Sequence, residues 1–259
     1  MSNTALITGA STGIGLELAK IHSSKGGDLV LVARNERRLA EIKAELENRF
    51  SVSVLVINKD LSIPDSAQEL YDEIRSRNIR IDYLINNAGF GDFGLFADAD
   101  WKKISQMIDL NIGTLTHLTK LFLPDMLSHK QGRIMNVSSI AAYQPGPLMA
   151  VYYATKAYVL NFSEAVNNEV SNTGVTITAL CPGPTSSGFK KAAELEGSKL
   201  FDEKNLSSAQ DVASYGYEAM MKGKAVAVHG FKNKLLTVVV RFMPRSLVVK
   251  VVRKIQAKE

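Results

Sequence analysis

Apolar residues occur along the chain in short continuous runs that alternate with stretches of helical periodicity. The clearest run is Asp28–Ala33, where every residue after the aspartate is apolar, as in a strand buried on both faces of a parallel sheet. Similar runs predict strands before Gly9 and at residues 52–57, 81–85, 132–139, 175–180 and 225–229. Helical patterns begin near Leu16 and cover residues 103–121, 151–170 and 211–221. This alternation predicts an α/β fold, a single Rossmann-type doubly wound parallel sheet with helices on both faces.

The final segment, residues 231–259, is predicted to be a basic amphipathic C-terminal extension of a domain at residues 1–230. It holds eight of the 31 Lys and Arg residues and one of the 26 acidic residues, so the remaining chain is near neutral. After Pro244, apolar residues recur on one helical face, namely Leu247, Val248, Val251, Val252 and Ile255. Such a helix can pack on the domain or across an oligomer, and it can also lie on an anionic membrane.

Composition narrows the class of protein. With 259 residues and 46% hydrophobic content, the chain is long enough for one large domain. A lone cysteine, Cys181, and the lack of a visible signal peptide predict a cytoplasmic protein, and no apolar run is long enough to span a membrane. The near-neutral body gives no reason to expect a nucleic-acid partner. The four histidines and the cysteine lack ligand spacing, so no metal is expected.

The loop between the first strand and the following helical pattern contains three glycines. Gly9 lets the chain turn, Gly13 lets the backbone approach a pyrophosphate, and Gly15 lets the helix pack closely on the strand. The unpaired N–H groups at the start of a helix favour an anion there. The order of strand, glycine loop and helix therefore predicts a dinucleotide phosphate site formed by Gly9, Ser11, Thr12, Gly13, Ile14 and Gly15.

Arg34 follows the strand Asp28–Ala33 and lies nineteen residues after Gly15. At this position of a nucleotide-binding βαβ unit an acid binds a free ribose 2′-hydroxyl, whereas an arginine pairs with a 2′-phosphate. Arg34, with Arg38 as a possible second contact, therefore predicts NADP(H) as the cofactor. The alternative is that both arginines are solvated charges on the polar face of a surface helix.

Two more predicted strands end in polar residues. Asp60 and Leu61 follow the third strand, where an adenine would rest, although Asp60 could instead be a turn or cap residue. The fourth strand ends in a turn whose backbone can lie beside a sugar or nicotinamide, formed by Asn86, Asn87, Ala88 and Gly89.

A hydroxyl, a phenol and an amine are available for proton transfer. The fifth strand delivers Ser138 and Ser139, and Tyr152 and Lys156 share one helix face because they are four residues apart. A phenol with a pKa of roughly 10 needs a neighbouring cation to exchange protons near neutrality, and Lys156 can supply it. Beside a dinucleotide, these groups indicate hydride transfer coupled to proton transfer at a carbonyl oxygen.

Taken together, these motifs resemble the short-chain dehydrogenase/reductase family over nearly the whole chain up to about His229. The matching pieces are the loop from Thr8 to Gly15, the turn from Asn86 to Gly89, Asn111, Ser139, Tyr152-x-x-x-Lys156 and Pro182-Gly183. The tail and the Pro-Gly-Pro-Thr run are most similar to uncharacterised bacterial oxidoreductases of the family. The resemblance implies an NADP(H)-dependent oxidoreductase acting on a carbonyl or secondary alcohol of a small, apolar substrate.

The resemblance also implies roles for individual residues. The tetrad is Asn111, Ser139, Tyr152 and Lys156, with Tyr152 as acid/base, Lys156 holding the nicotinamide ribose and Asn111 supporting a water relay. Ser139 lies thirteen residues before Tyr152, the separation usual in the family, and Tyr153 does not have the family's spacing to Lys156. Further cofactor contacts are expected at Asn87, Ala88, Gly89, Pro182, Gly183 and Thr185, with Ser187 near the carboxamide.

Three expectations concern the whole protein. Residues 189–205 would form a lid over the substrate, and their apolar side chains suggest an apolar pocket, namely Phe189, Leu195, Leu200 and Phe201. Family members commonly pair through the helices that carry the asparagine and the Tyr/Lys set, so a homodimer or homotetramer is expected. The alternative to an enzyme is a non-enzymatic protein that senses the NADP(H) ratio or acts as a scaffold.

Overall fold

The computed structural model describes residues 3–186, 188 and 206–256. Its strands are β1 Thr4–Thr8, β2 Asp28–Ala33, β3 Val54–Asn58, β4 Tyr83–Asn86, β5 Gly132–Val137, β6 Val175–Cys181, β7 Thr185–Ser186, β8 Ser207–Ser208 and β9 Val226–Val228. Seven of them form a parallel sheet in the order β3-β2-β1-β4-β5-β6-β9, and β7 pairs with β8. The predicted parallel sheet is therefore confirmed.

Helices cover both faces of this sheet. They are α1 Gly13–Ser24, α2 Glu36–Phe50, α3 Ser66–Ser76, α4 Trp101–Ile108, α5 Leu115–Ser128, α6 Ala150–Glu169, α7 Ala209–Met221, α8 Phe231–Phe242 and α9 Arg245–Gln256. Side chains of β1 alternate between the faces, so Ala5 and Ile7 pack towards α1, α2 and α7 while Leu6 packs towards α3 and α5. The doubly wound arrangement follows from this burial on both sides.

Several element boundaries differ from the sequence predictions. The third strand begins at Val54, two residues later than predicted, because the Ser53 amide donates to Asp28 Oδ1 over 2.8 Å. The predicted helix at residues 103–121 begins at Trp101 and runs to Ser128, but a π-helical segment, Asp109–Thr114, interrupts it. Strand β5 ends at Val137, so both serines lie beyond it.

The C-terminal segment forms two helices on either side of Pro244: α9 is the helix that the apolar pattern predicts, whereas α8 was not predicted from the sequence. Of the five apolar residues expected on one face of α9, only Val248 and Val252 are buried, in a cluster with Met149, Tyr152 and Tyr153. The other three remain exposed, so this face packs on the domain with only part of its width. Within the described ranges, no helix combines the length and apolarity needed to cross a bilayer.

Candidate active site

A cleft of about 770 Å³ lies along the carboxyl ends of the central strands. Its volume falls within the roughly 300–1,000 Å³ typical of ligand and cofactor sites. It brings together most of the predicted site residues, namely Gly9, Ser11, Thr12, Gly13, Ile14, Arg34, Asp60, Leu61, Asn87, Ala88, Gly89, Ser139, Tyr152, Lys156, Pro182, Gly183 and Thr185. Gly15 and Asn111 do not line its wall and act from behind it.

The glycine loop at one side of the cleft depends on residues that have no side chain. Gly9 and Gly13 have positive φ angles of 65° and 56°. A Cβ on Gly15 would lie 2.5 Å from the carbonyl oxygen of Gly9 and 2.5 Å from Asn87 Nδ2. Helix α1 starts at Gly13, and the side chain of its N-cap residue, Thr12, makes no capping hydrogen bond. This cradle and the uncapped helix start fit the phosphates of a dinucleotide.

Thr8 and Asn87 join the glycine loop to the next strand end. Asn87 Nδ2 donates to the carbonyl oxygens of Thr8 at 2.9 Å and Gly9 at 3.1 Å. In return, Thr8 Oγ1 accepts from the backbone N–H groups of Asn87 and Ala88, each at 3.0 Å. The loop and the Asn86 to Gly89 turn therefore form one hydrogen-bonded unit. The sequence motif contains Thr8, but only the pairing of β1 with β4 explains its role.

Arg34 and Asp60 lie at the opposite, open side of the cleft. The Arg34 side chain is 75% exposed, and its Nη1 lies 3.9 Å from Asp60 Oδ2. Asp60 Oδ1 accepts from the amide of Ser62 at 3.0 Å and from its hydroxyl at 2.7 Å. Asp60 thus both stabilises a turn and lines the cleft, so the two interpretations of this residue are compatible.

Arg38 belongs to the surface of α2. Its Nη1 donates to Glu41 Oε2 over 3.0 Å, and Arg37 Nε donates to Oε1 of the same carboxylate over 3.3 Å. The hydrogen bond from Arg38 lowers the pKa of Glu41. Arg38 pairs within one turn of α2 and does not line the cleft, and a second 2′-phosphate contact from Arg38 stays a prediction.

Ser139 stands at the closed end of the cleft and caps a short 3₁₀ helix, Ile140–Tyr143. Its Oγ accepts from the Ala141 amide at 3.1 Å and donates to the Pro182 carbonyl oxygen at 3.4 Å. Tyr152 is 9% exposed, and burial raises the pKa of its phenol, opposed in part by a hydrogen bond with Ser139. The hydroxyl and the phenol predicted from sequence are therefore in contact.

Lys156 lies beneath this pair and is 5% exposed. Its Nζ donates to the Val137 carbonyl oxygen at 2.8 Å and lies 5.7 Å from the centroid of the Tyr152 ring. Burial lowers the pKa of Lys156 to about 8. The spacing of the two residues predicts that Lys156 lowers the pKa of Tyr152, but in the structure burial of the phenol is the largest influence and its pKa is raised. The Lys156 carbonyl oxygen accepts from Ser138 Oγ at 2.8 Å, so Ser138 holds α6 against β5.

Asn111 connects the Asn86 to Gly89 turn with α6. Its Nδ2 donates to the Phe90 carbonyl oxygen at 2.9 Å and to Thr155 Oγ1 at 3.1 Å, while Oδ1 accepts from the Phe90 amide at 3.2 Å. A Cβ on Gly89 would lie 2.9 Å from Asn111 Oδ1 and 3.4 Å from Lys156 Nζ. Asn111 sits in the π-helical segment, a distortion often found at functional sites.

The loop after β6 closes the cleft on its far side. Thr185 Oγ1 donates to the Gly183 carbonyl oxygen at 2.8 Å, and a Cβ on Gly183 would lie 2.5 Å from Asn233 Nδ2 of α8. Cys181, at the end of β6, is fully buried, and burial raises the pKa of its thiol to about 12. This thiol stays protonated and is inert near neutral pH.

Several lining residues were not identified from the sequence. Side chains from separate helices and loops that the fold brings together complete the wall, including Phe90, Ile140, Gln144, Met149 and Tyr153. No spacing in the sequence marks them, because each is positioned by contacts between distant segments. The predicted lid at residues 189–205 and Ser187 lie outside the described residues.

Comparison with known proteins identifies the family. A family model described as short chain dehydrogenase matches residues 3–196. The chain belongs to this family. Among its relatives, the chain is 30% identical over 205 residues to an uncharacterised oxidoreductase of Staphylococcus epidermidis, an alignment that covers 79% of this chain and 87% of that protein.

Two further proteins match this chain over almost its whole length. A very-long-chain 3-oxoacyl-CoA reductase of Anas platyrhynchos is 28% identical over 261 residues, covering 98% of this chain and 81% of that protein. A solved structure of a short-chain dehydrogenase from Sphingobium yanoikuyae in complex with NADPH has a TM-score of 0.83 and 29% identity, covering 99% and 98% of the two chains. The predicted family membership is confirmed.

Proposed function

We propose that the protein is an NADP(H)-dependent oxidoreductase that transfers a hydride between the nicotinamide and a carbonyl or secondary alcohol of a small, apolar substrate. The observation that carries the proposal is the grouping of Ser139, Tyr152 and Lys156 at the closed end of a cleft that is also lined by the glycine loop and, at its open side, by Arg34. The bound cofactor would supply the hydride chemistry. The protein's own groups would supply orientation and the proton.

Tyr152 is the proposed acid in the direction of carbonyl reduction. Because burial raises its pKa, the phenol is protonated near neutrality and holds a proton to give. In carbonyl reduction the Tyr152 phenol would give its proton to the carbonyl oxygen, which would become the hydroxyl oxygen of the alcohol product. Ser139 Oγ, which is in contact with Tyr152, would hold the same oxygen in place during this transfer.

Lys156 in the cleft wall and Asn111 behind it would support this proton transfer. The Lys156 ammonium, held by the Val137 carbonyl, places positive charge against the Tyr152 ring and would stabilise the phenolate left after reduction. Asn111 would act as a positioning residue, since its side chain holds the Phe90 backbone on one side and Thr155 on the other.

The assignment of NADP(H) as the cofactor rests on Arg34, at the side of the cleft beside β2. Arg34 is exposed there, and in the described structure its one carboxylate neighbour lies at 3.9 Å, so its guanidinium can turn towards a 2′-phosphate. The NADPH bound to the Sphingobium yanoikuyae dehydrogenase supports this choice. An apolar carbonyl substrate is supported by Met149 and Phe90 in the wall, and by the name of the Anas platyrhynchos relative, a reductase of a 3-oxoacyl thioester.

Purified protein tested with a panel of ketones and 3-oxoacyl thioesters would test the proposal. We expect NADPH absorbance to fall with at least one apolar ketone, and the reverse change with the matching secondary alcohol and NADP. Faster turnover with NADH than with NADPH would contradict the cofactor assignment. Tight NADPH binding without turnover of any compound would favour the sensor or scaffold alternative.

A further inference from the structure

Helix α8 turns an apolar face to solvent, the opposite of what a surface helix normally shows. The side that meets the domain includes polar Asn233, whose Nδ2 donates to the His229 carbonyl oxygen at 2.8 Å, and buried Thr237. Residues at i, i+4, i+7 and i+11 form an outward row, namely Phe231, Leu235, Val238 and Phe242. The two phenylalanines of this row are 82% and 84% exposed.

Helix α9 carries a second exposed apolar row beside its buried one. Val248 and Val252 pack on the domain, whereas the neighbouring row at i, i+4 and i+8 is exposed, namely Leu247, Val251 and Ile255. Single exposed apolar residues are ordinary on protein surfaces. Complete rows on two consecutive helices are not, and they indicate a contact surface.

Positive charge surrounds these rows, and negative charge is absent from them. Residues 231–256 contain no Asp or Glu, and their basic residues are all exposed, namely Lys232, Lys234, Arg241, Arg245, Lys250, Arg253 and Lys254. In the part of the chain that the structure describes, none of these seven forms an ion pair with a carboxylate. By helical geometry, Lys232 lies on one side of the α8 row while Lys234 and Arg241 lie on the other.

The charge distribution distinguishes between two occupants of this surface. In a symmetric dimer the same patch faces itself, so two sets of seven cations without acids would be brought together. An anionic bilayer instead offers an apolar interior to the rows and negative headgroups to the flanking cations. We propose that α8 and α9 dock the protein on an anionic phospholipid membrane, with their exposed rows at the boundary between headgroups and acyl chains. This proposal does not depend on the proposed catalytic function.

Co-sedimentation of the full chain with vesicles tests the proposal directly. One set of vesicles contains phosphatidylserine mixed with phosphatidylcholine, and the other contains phosphatidylcholine alone. We expect the protein to pellet with the anionic vesicles at low salt, to remain in the supernatant with the neutral ones, and to be released as salt screens the charges. Protein that stays in the supernatant with anionic vesicles at low salt overturns the proposal.

Matched variants separate the apolar and charged contributions. Phe231→Ser with Phe242→Ser should reduce binding to the level of neutral vesicles, and Lys250→Gln with Lys254→Gln should weaken it about 30-fold. Trp101→Ser with Lys102→Gln is the control, because it removes an aromatic residue that is 70% exposed and a lysine from another surface helix. The control should bind vesicles as the parent does.

Folding and self-association must be measured on the same variants. All substituted residues are exposed, so circular dichroism should show a parental fold for each of them. The proposal is overturned if the phenylalanine variant pellets as the parent does, or if the control loses binding equally. It is also overturned if light scattering shows that the phenylalanine substitutions dissolve an oligomer while the parent ignores vesicles, because the surface would then join subunits.

Discussion

The closed end and the open side of the cleft differ in how firmly their side chains are held. At the closed end, Tyr152 and Lys156 are less than one-tenth exposed, and Lys156 and Ser139 are held by hydrogen bonds to backbone carbonyls. At the open side, Arg34 is 75% exposed, and its carboxylate neighbour among the described residues, Asp60, lies 3.9 Å from the guanidinium. Burial shifts the pKa of both groups at the closed end.

The two regions therefore differ in whether their side chains are ordered before the ligand binds. The closed end is organised before a ligand arrives, so its groups can act on a reacting bond without rearrangement. The open side must order a long side chain when the ligand binds, which reduces the gain from each contact. We therefore expect substitutions at the closed end to have larger effects than substitutions at Arg34.

The largest effect is expected at Tyr152. Tyr152→Phe keeps the ring packed but removes the transferable proton, so kcat/KM for carbonyl reduction should fall about 10²- to 10⁴-fold while NADPH affinity is preserved. Steady-state kinetics and NADPH fluorescence titration measure the two quantities.

Tyr153→Phe is the matched control, because Tyr153 is the neighbouring phenol and its hydroxyl accepts from Gln256 Nε2 of α9 instead. We expect its kcat to remain within tenfold of the parent. A larger loss of kcat for Tyr153→Phe than for Tyr152→Phe would reverse the assignment of the two phenols.

The next effect is expected at Lys156, whose burial should make the free energy of unfolding depend on pH. The pKa of Lys156 is about 8 in the folded protein, against 10.5 ordinarily, so between these values the unfolded chain binds a proton that the native chain does not. The free energy of unfolding should therefore rise with pH across this window. Relative to Lys156→Met, the parent should gain on the order of 3 kcal/mol from pH 8 to 10.5.

Urea unfolding at a series of pH values measures this difference. Arg34→Met is the control, because it removes a solvent-exposed cation at the other side of the cleft and should leave the pH dependence of the parent unchanged. Identical slopes for the parent and Lys156→Met would show that the ammonium is not desolvated in the fold.

A smaller effect is expected at Thr8, which joins the glycine loop to the Asn86 to Gly89 turn. Thr8→Val removes the oxygen that accepts from the Asn87 and Ala88 amides, so it should lower the free energy of unfolding by about 1–3 kcal/mol. Thr8→Ser keeps that oxygen and should restore most of the loss. Equal destabilisation by both substitutions would assign the effect to lost methyl packing.

The smallest effect is expected at the open side. Arg34→Ala should weaken NADPH binding about tenfold and leave NADH binding unchanged, because only NADPH carries a 2′-phosphate. Arg38→Ala is the control, and its pairing with Glu41 predicts no change in either affinity. If Arg34→Ala weakens both cofactors equally, the arginine does not distinguish them.

The features that local geometry determines could be predicted from the sequence. Continuous apolar runs located the sheet, and a four-residue spacing on a helix brought Tyr152 and Lys156 to one face. Features that depend on distant contacts could not be predicted. The π-helical segment contains Asn111, which bonds to the distant residues Phe90 and Thr155. Which residues of the apolar face of α9 are buried depends on where the surface of the domain lies. The oligomer, the cytoplasmic location and the boundary at residue 230 stay predictions.

The buried thiol of Cys181 makes the molecule well suited to labelling experiments. It is the chain's single cysteine, and with a pKa of about 12 it offers almost no thiolate to a maleimide near neutral pH. A cysteine introduced at exposed Phe242 or Leu247 would therefore be the one reactive handle without prior removal of the native residue. A polarity-sensitive fluorophore at these positions could then report how deeply each helix enters a bilayer.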